Sequence, residues 1–227
     1  MTSPLRLVIF DVDGTLVDSQ SDIVAAMSEA FQRASSPPPT KENILSIVGL
    51  SLDRAMEVLA PDVPPGLHDQ MVAWYKEAYM GLRAKVGAAE SSPLYPGARA
   101  ALERLNETPD LLLGVATGKS KRGLDKLFEA HALDRFFVTR QVSDFHPSKP
   151  HPSMVQACLA ETGVAAEHAV VVGDTSFDMD MAKAAGVPGI GVSWGYHPAS
   201  ALKAADQVID DYNELSHALS TIWGARQ

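Results

Sequence analysis

Residues 5–19 read LRLVIFDVDGTLVDS, and this stretch decides the fold. Leu5, Leu7, Val8, Ile9 and Phe10 form a short apolar run rich in branched and aromatic residues. Such a run marks a strand buried on both faces of a parallel sheet. It stops at Asp11, and Asp13, Gly14 and Thr15 follow at once. Two carboxylates therefore stand where a buried strand emerges, with a glycine behind them that lets the backbone turn. In open α/β sheets the crevice at the carboxyl ends of the strands is where ligands bind. Paired carboxylates taken out of water repel each other and need a cation, a shared proton or an outlet to solvent. A divalent metal is the simplest of these answers. An Asp-Gly turn with no further role produces similar short strings, so the rest of the chain has to discriminate.

Composition narrows the class. A chain of 227 residues with 46% hydrophobic content suits one large domain, or one domain carrying an insertion. The single cysteine, Cys158, rules out an internal disulfide and fits a reducing compartment. Its apolar neighbours Met154, Val155, Ala157 and Leu159 make it a core residue rather than a nucleophile. No apolar run approaches the ~18 residues of a membrane span, and the first residues lack a signal-peptide layout, so a cytoplasmic protein is expected. The formal charge of −9 argues against a nucleic-acid partner. It leaves room for a small anionic substrate, because a bound metal and a few placed cations can reverse the potential inside a cleft.

Past Asp18 the pattern turns helical. The spacing predicts helices over about 19–33, 41–47, 52–60 and 67–86, with the proline-rich SSPPPT at 35–40 as a rigid connector. No strand pattern interrupts residues 18–92, and four helices in a row do not fit a simple βαβ alternation. After the linker at 91–96, helix 97–106 precedes a buried strand at 111–116. Further strands are expected at 136–139, 169–172, 187–192 and, weakly, 206–209. The intervening helices fall at 120–130, 152–162, 177–185, 198–205 and 212–223. Strands alternating with helices imply an α/β chain with a Rossmann-like, doubly wound parallel sheet. The expected division is a core of 1–17 and 93–227 and an all-helical inserted segment of 18–92.

Polar residues recur at one edge of this sheet: Asp11 and Asp13 after the first strand, Thr117 after the second, Lys149 in the loop before helix 152–162, and Asp174 and Asp178 after the strand at 169–172. In this order, DVDGTLV, VATGK, SKPHP and VVGDTSFDMDMA resemble the four motifs of the haloacid dehalogenase superfamily, most of whose members are phosphatases. The resemblance covers nearly the whole chain, and the helical insert looks like the cap that follows the first motif in many of those phosphatases. An acid at Asp13, two residues after the nucleophile position, is what the phosphatase and phosphomutase branches carry and the dehalogenase branch lacks. The resemblance implies that Asp11 attacks phosphorus and that Asp13 serves as acid and then base. It also implies that Lys149, Thr117 and Gly118 bind the phosphoryl group and that Asp11, Asp13, Asp174 and Asp178 form the Mg²⁺ site. Gly118 departs from the asparagine many relatives carry there; since that position acts through its backbone N–H, little loss is expected.

Within the superfamily, DVDGTLVDS and the length of the insert look most like phosphoglycolate phosphatases. The resemblance thus implies a Mg-dependent phosphomonoester hydrolase acting on a small phosphorylated acid such as 2-phosphoglycolate. A phosphatase for sugar phosphates, or a β-phosphoglucomutase-like phosphomutase, stays open. Selectivity is expected from the turn VGLSLDR at 48–54, where Gly49 and Ser51 approach the leaving group and Arg54 binds a substrate carboxylate. A plain helix–helix turn with Arg54 on a solvated face is the competing reading. The partner is expected to be a small phosphorylated metabolite, with no nucleic acid or membrane, and the protein a monomer or homodimer. GVATGKS at 114–120 imitates a P-loop but has only three residues between its glycines. His146, His151 and His197 lack zinc-site spacing.

Overall fold

In the structure, a computed structural model that describes residues 4–225, strand β1 (Arg6–Phe10) lies at the centre of the sheet. Leu7, Val8, Ile9 and Phe10 are all fully buried. The reason is their alternation. Val8 and Phe10 enter the core on one face of the sheet, and Leu7 and Ile9 enter a second core on the other. A strand shielded on both faces has no polar side to show, which is why it reads as a continuous apolar run.

Six parallel strands complete the sheet in the order β3-β2-β1-β4-β5-β6, with β2 (Leu111–Thr117), β3 (Thr139–Val142), β4 (Ala169–Gly173), β5 (Gly189–Val192) and β6 (Gln207–Ile209). The chain winds outward from β1 first to one side and then to the other, so β1 lies at the switch point where such sheets open a crevice. The register aims it: Phe10 pairs with both Val115 and Val172. Asp11 therefore comes level with the ends of β2 and β4.

Between β1 and β2 come six helices and no further strand of the sheet, the first five being α1 (Gln20–Arg33), α2 (Lys41–Leu45), α3 (Leu52–Leu59), α4 (Pro65–Val86) and α5 (Ala88–Ser91). The first four share their own apolar centre, built on Ile23, Met27, Phe31, Ile44, Met56 and Met71. The other helices, α6 (Ala98–Asn106), α7 (Lys121–His131), α8 (Ser153–Thr162), α9 (Ser176–Ala184) and α10 (Leu215–Gly224), cover the sheet faces. None of the described helices is long and apolar enough to cross a membrane.

Three sequence expectations need correction. The third strand starts at Thr139 rather than Phe136, because Asp134–Phe136 form a 3₁₀ turn whose phenylalanine drops into the core. The real strand, TRQV, was masked by its polarity. As an edge strand it buries Thr139 and Gln141 by bonding them to each other and to Glu161 and His146. The helix expected at 198–205 is only a 3₁₀ turn, Ala199–Ala201, and the last helix starts at Leu215 rather than Tyr212. Tyr212 is instead fully buried, its hydroxyl donating to the Thr15 carbonyl at 2.7 Å.

Phe128 on α7 is fully buried and stacks on Phe137 at 5.1 Å. Phe128→Ala should cost about 3–5 kcal/mol, read as a lower urea midpoint at unchanged m-value. A loss below about 1 kcal/mol would show that this face of the sheet is not packed as described.

Candidate active site

The sheet edge gathers four ionisable side chains from three segments distant in sequence. Lys149, in the loop 143–152 between β3 and α8, places Nζ 2.6 Å from Asp11 Oδ1 and 2.6 Å from Asp178 Oδ1. All three residues are buried. Asp11, Asp174 and Asp178 offer carboxylate oxygens that lie within 4.8 Å of one another, the one such cluster of potential metal ligands among the described residues.

Each acid is held from behind. Asp11 follows β1, its N–H bonded to the Val172 carbonyl at 2.9 Å. Asp178 sits in the first turn of α9 and closes a capping box with Thr175, accepting from the Thr175 N–H at 3.0 Å and hydroxyl at 2.6 Å. Asp174 accepts from Thr15 Oγ1 at 2.9 Å and from the Tyr196 N–H at 2.8 Å. Gly14, at φ +86, leaves no room for a side chain, because a Cβ there would fall on the Asp174 carboxylate.

Asp13 faces the other way. Its Oδ2 pairs with Lys119 Nζ at 2.8 Å, and its Oδ1 accepts from Ser19 Oγ. Ser19 in turn donates its N–H to the Tyr196 hydroxyl at 2.9 Å. Lys119 lies 3.4 Å from the Tyr79 hydroxyl and over the Tyr79 ring. Sequence reading missed Lys119, which is hidden in the P-loop imitation, and also missed Tyr79, Tyr196 and Arg83. Only Lys119 carried a signal: a lysine two residues past the end of a buried strand, in the same crevice as Asp13.

Asp11, Asp13, Thr117, Gly118, Gly49 and Ser51 share one cavity of about 860 Å³ between the sheet edge and the helical insert. Thr117 is the last residue of β2, and its hydroxyl accepts from the Lys119 N–H at 3.2 Å. Gly118 abuts the insert so closely that a Cβ would meet the Gly49 and Leu50 carbonyls at 2.6 and 2.7 Å. Its lack of a side chain is thus a fit to the 48–51 turn, a reason beyond the N–H role expected for it. The Ser51 N–H reaches across to Ser148 Oγ at 2.8 Å.

Arg54 corrects the expectation placed on it. It lies outside the cavity lining, with an exposed side chain paired to Glu57 at 2.6 Å. The buried face of α3 is that of Ala55 and Met56, which turns the neighbouring Arg54 outward. Two arginines do line the cavity: Arg83, in the last turn of α4, and Arg122, an exposed residue of α7. The three histidines are scattered as well. His146 bridges Gln141 and Ser153, and His197 bridges Ser176 and the Ser46 carbonyl.

Electrostatics divide the acids. Burial pushes the Asp11 carboxyl up to about 7; Lys149 opposes the rise and Asp178 adds to it. Asp174 is raised well above the usual carboxylate range by burial and by the charges of Asp11 and Asp178, against the two hydrogen bonds it accepts. Burial also pushes Asp13 upward, but Lys119, the Ser19 hydrogen bond and the charge of Arg83 outweigh it and hold Asp13 below its ordinary value. Lys149 loses to burial and gains more from Asp11 and Asp178, so it stays charged. The inner cluster is short of positive charge, while Asp13 is already neutralised.

A family model described as haloacid dehalogenase-like hydrolase matches residues 8–192. The chain is 36% identical to the probable phosphatase IndB of Dickeya dadantii over 94% of both chains. It is 31% identical to a phosphoglycolate phosphatase of Agrobacterium fabrum over 96% of this chain and 95% of that one. The crystal structure of a hydrolase from Pseudomonas syringae superposes with a TM-score of 0.83 at 26% identity, covering 96% of this chain and 99% of that one.

The charge balance predicts a pH-dependent response to loss of Lys149. A carboxyl with a folded pKa of about 7 against an ordinary 3.8 binds its proton more tightly in the folded state. Its favourable contribution is complete below pH 3.8 and is lost as the pH rises through 7. Lys149→Met strips the cation and should cost about 3–5 kcal/mol at pH 7.5. The cost should be clearly smaller at pH 5, where Asp11 takes up a proton. Urea unfolding at the two pH values measures this, and an equal cost at both would contradict the charge balance.

Proposed function

The chain belongs to the haloacid dehalogenase-like hydrolases and is a phosphatase, and on that premise we propose that it is a Mg²⁺-dependent phosphomonoester hydrolase working through an aspartyl-phosphate on Asp11. The observation that carries the reading is the buried group of Asp11, Asp174 and Asp178 around Lys149.

Those residues fit a metal. Three buried carboxylates share one ammonium, and the raised affinities of Asp11 and Asp174 for protons register the missing positive charge. Their donors are all oxygens, the set Mg²⁺ prefers. Asp11, Asp174 and Asp178, with the backbone carbonyl of Asp13 from the adjoining turn, would hold the ion. When bound, it supplies positive charge to the phosphoryl oxygens and to the acids around it.

The chain's own residues then divide the work. Asp11 attacks phosphorus; the bond from phosphorus to the leaving oxygen breaks, and Asp13 passes that oxygen a proton. In the second half Asp13 takes a proton from water. The water oxygen attacks phosphorus and the bond to Asp11 breaks, releasing phosphate. Lys149, Thr117 and the Gly118 N–H bind the phosphoryl oxygens as charge redistributes. The Lys119 pair with Asp13 suits the base half, because it keeps Asp13 ionised. For the acid half, an arriving phosphoryl dianion competes for Lys119 and raises the proton affinity of Asp13.

The helical segment of residues 18–92 acts as a cap over the core of 1–17 and 93–227. The preferred substrate is a small phosphorylated acid of the type of 2-phosphoglycolate, a reading supported by the phosphoglycolate phosphatase of Agrobacterium fabrum.

With Mg²⁺ the protein should release phosphate from p-nitrophenyl phosphate and from 2-phosphoglycolate, and EDTA should abolish the release. Asp11→Asn should lower turnover by at least about 10³-fold and abolish acid-stable labelling by radioactive substrate phosphate. Turnover retained by that variant would remove the nucleophile assignment. Lys119→Met removes the cation that depresses Asp13, so the limb of the pH–rate profile set by Asp13 should move to higher pH, by roughly one unit. A shift to lower pH would contradict the pairing.

A further inference from the structure

Arg83 has no use in the mechanism above, yet it lines the cavity. Lys119, the neighbouring cation, is committed to Asp13 at 2.8 Å. Arg83 pairs with no carboxylate among the described residues. Its Nη2 donates to Ser92 Oγ at 3.0 Å, its guanidinium stands over the Tyr79 ring at 4.9 Å, and its Nε is buried with no hydrogen-bond partner. A guanidinium offers five N–H donors in a rigid fork that matches a carboxylate or phosphate two bonds at a time. Leaving buried donors and a half-buried charge unmatched is costly unless a ligand supplies the acceptor.

The surroundings give the ligand a direction. Tyr79 touches both cations, Lys119 at 5.4 Å and Arg83 at 4.9 Å from its ring centre, and Tyr75 stacks on it at 5.8 Å, one helical turn earlier on α4. A path thus leads from Asp13, through Lys119 and along the tyrosine pair, to Arg83. Asp13 marks the leaving-group oxygen, so Arg83 stands on the side of the alcohol portion of the substrate. The charge of Arg83 reaches Asp13 and Lys119, which puts it within one small molecule of the chemistry.

Resting on the phosphatase reading, we infer that Arg83 is the specificity-determining residue of this site and takes a second anionic group, a carboxylate or a second phosphate, on the alcohol portion of the substrate. The cavity of about 860 Å³ admits acids longer than a two-carbon one, so the class is phosphorylated hydroxy acids and sugar bisphosphates rather than neutral sugar monophosphates. Arg83, and not Arg54, confers the anion preference.

The test compares kcat/KM for matched substrates, namely 2-phosphoglycolate and 3-phosphoglycerate for the carboxylate source, fructose 1,6-bisphosphate for the second phosphate, and glycerol 1-phosphate without a second anion. In Arg83→Met the ratio of the preferred anionic substrate to glycerol 1-phosphate should fall about 10- to 100-fold, mainly through KM. Arg83→Lys, which keeps a charge but loses the fork, should restore part of it. Ser92→Ala removes the protein partner of Arg83 and should keep the wild-type ratio within about twofold. It thereby separates recognition from a merely structural role and stands even where Arg83→Met folds poorly. An unchanged ratio in both Arg83 variants, an equal fall in Ser92→Ala, or a wild-type preference for glycerol 1-phosphate overturns the inference while leaving the phosphatase reading intact. No phosphate release from any of the four by the Mg²⁺-loaded wild type overturns that reading, and this inference with it.

Discussion

One buried ammonium holds the site together. Lys149 lies between Asp11 and Asp178, with Asp174 in the same cluster and no water-exposed face to relieve it. Three carboxylates and one lysine leave two negative charges in a medium that penalises each of them. The raised proton affinities of Asp11 and Asp174 are the folded chain's partial remedy. A cluster of this kind survives only where the surrounding fold over-determines it. Here the register of β1 against β4 sets Asp11, the capping box of α9 sets Asp178, and Thr15 with the Tyr196 N–H sets Asp174. Three glycines make the same point by omission. Side chains at Gly14 and Gly195 would fall on Asp174, and one at Gly173 on Asp178. The acids are packed against bare backbone, so their positions cannot relax apart.

How much of this was legible in the sequence follows from how each element is stabilised. β1, β2 and β4 are covered on both faces and announce themselves as unbroken apolar runs; their ends located Asp11, Thr117 and Asp174. β3 gave no such signal, since an edge strand that buries a threonine and a glutamine through side-chain bonds looks like a loop. The alanine-rich 198–205 carries helix propensity without a face to bury, and only a 3₁₀ turn forms. At the site, residues fixed by a strand end or a helix start were readable, Lys119 among them, whereas Tyr79 and Arg83 reach the same cavity only through the docking of α4 against the sheet edge. That docking depends on tertiary contacts between the helical insert and the sheet, which no local spacing encodes. Arg54 shows the converse, because proximity to a glycine turn said nothing of the face of α3 on which it falls.

Closure of the insert over the sheet edge changes the strength of every interaction beneath it. Gly118 lets the Gly49 and Leu50 carbonyls come down onto the end of β2, Ser51 bonds to Ser148 in the loop that carries Lys149, and His197 bonds to the Ser46 carbonyl. These contacts fasten the insert to the sheet edge, and in the partly buried cavity between them a lower local dielectric magnifies both attraction and repulsion. The result is a cavity of mixed charge inside a protein whose net charge is −9, with Asp11 and Asp13 in its lining beside Lys119 and Arg83. Lys119 and Arg83 in that lining give an acidic protein a local positive potential suited to an anion. Asp13, paired to Lys119 on one side and bonded to Ser19 on the other, is the acid of this site that those partners hold below its ordinary proton affinity, in contrast to Asp11 and Asp174.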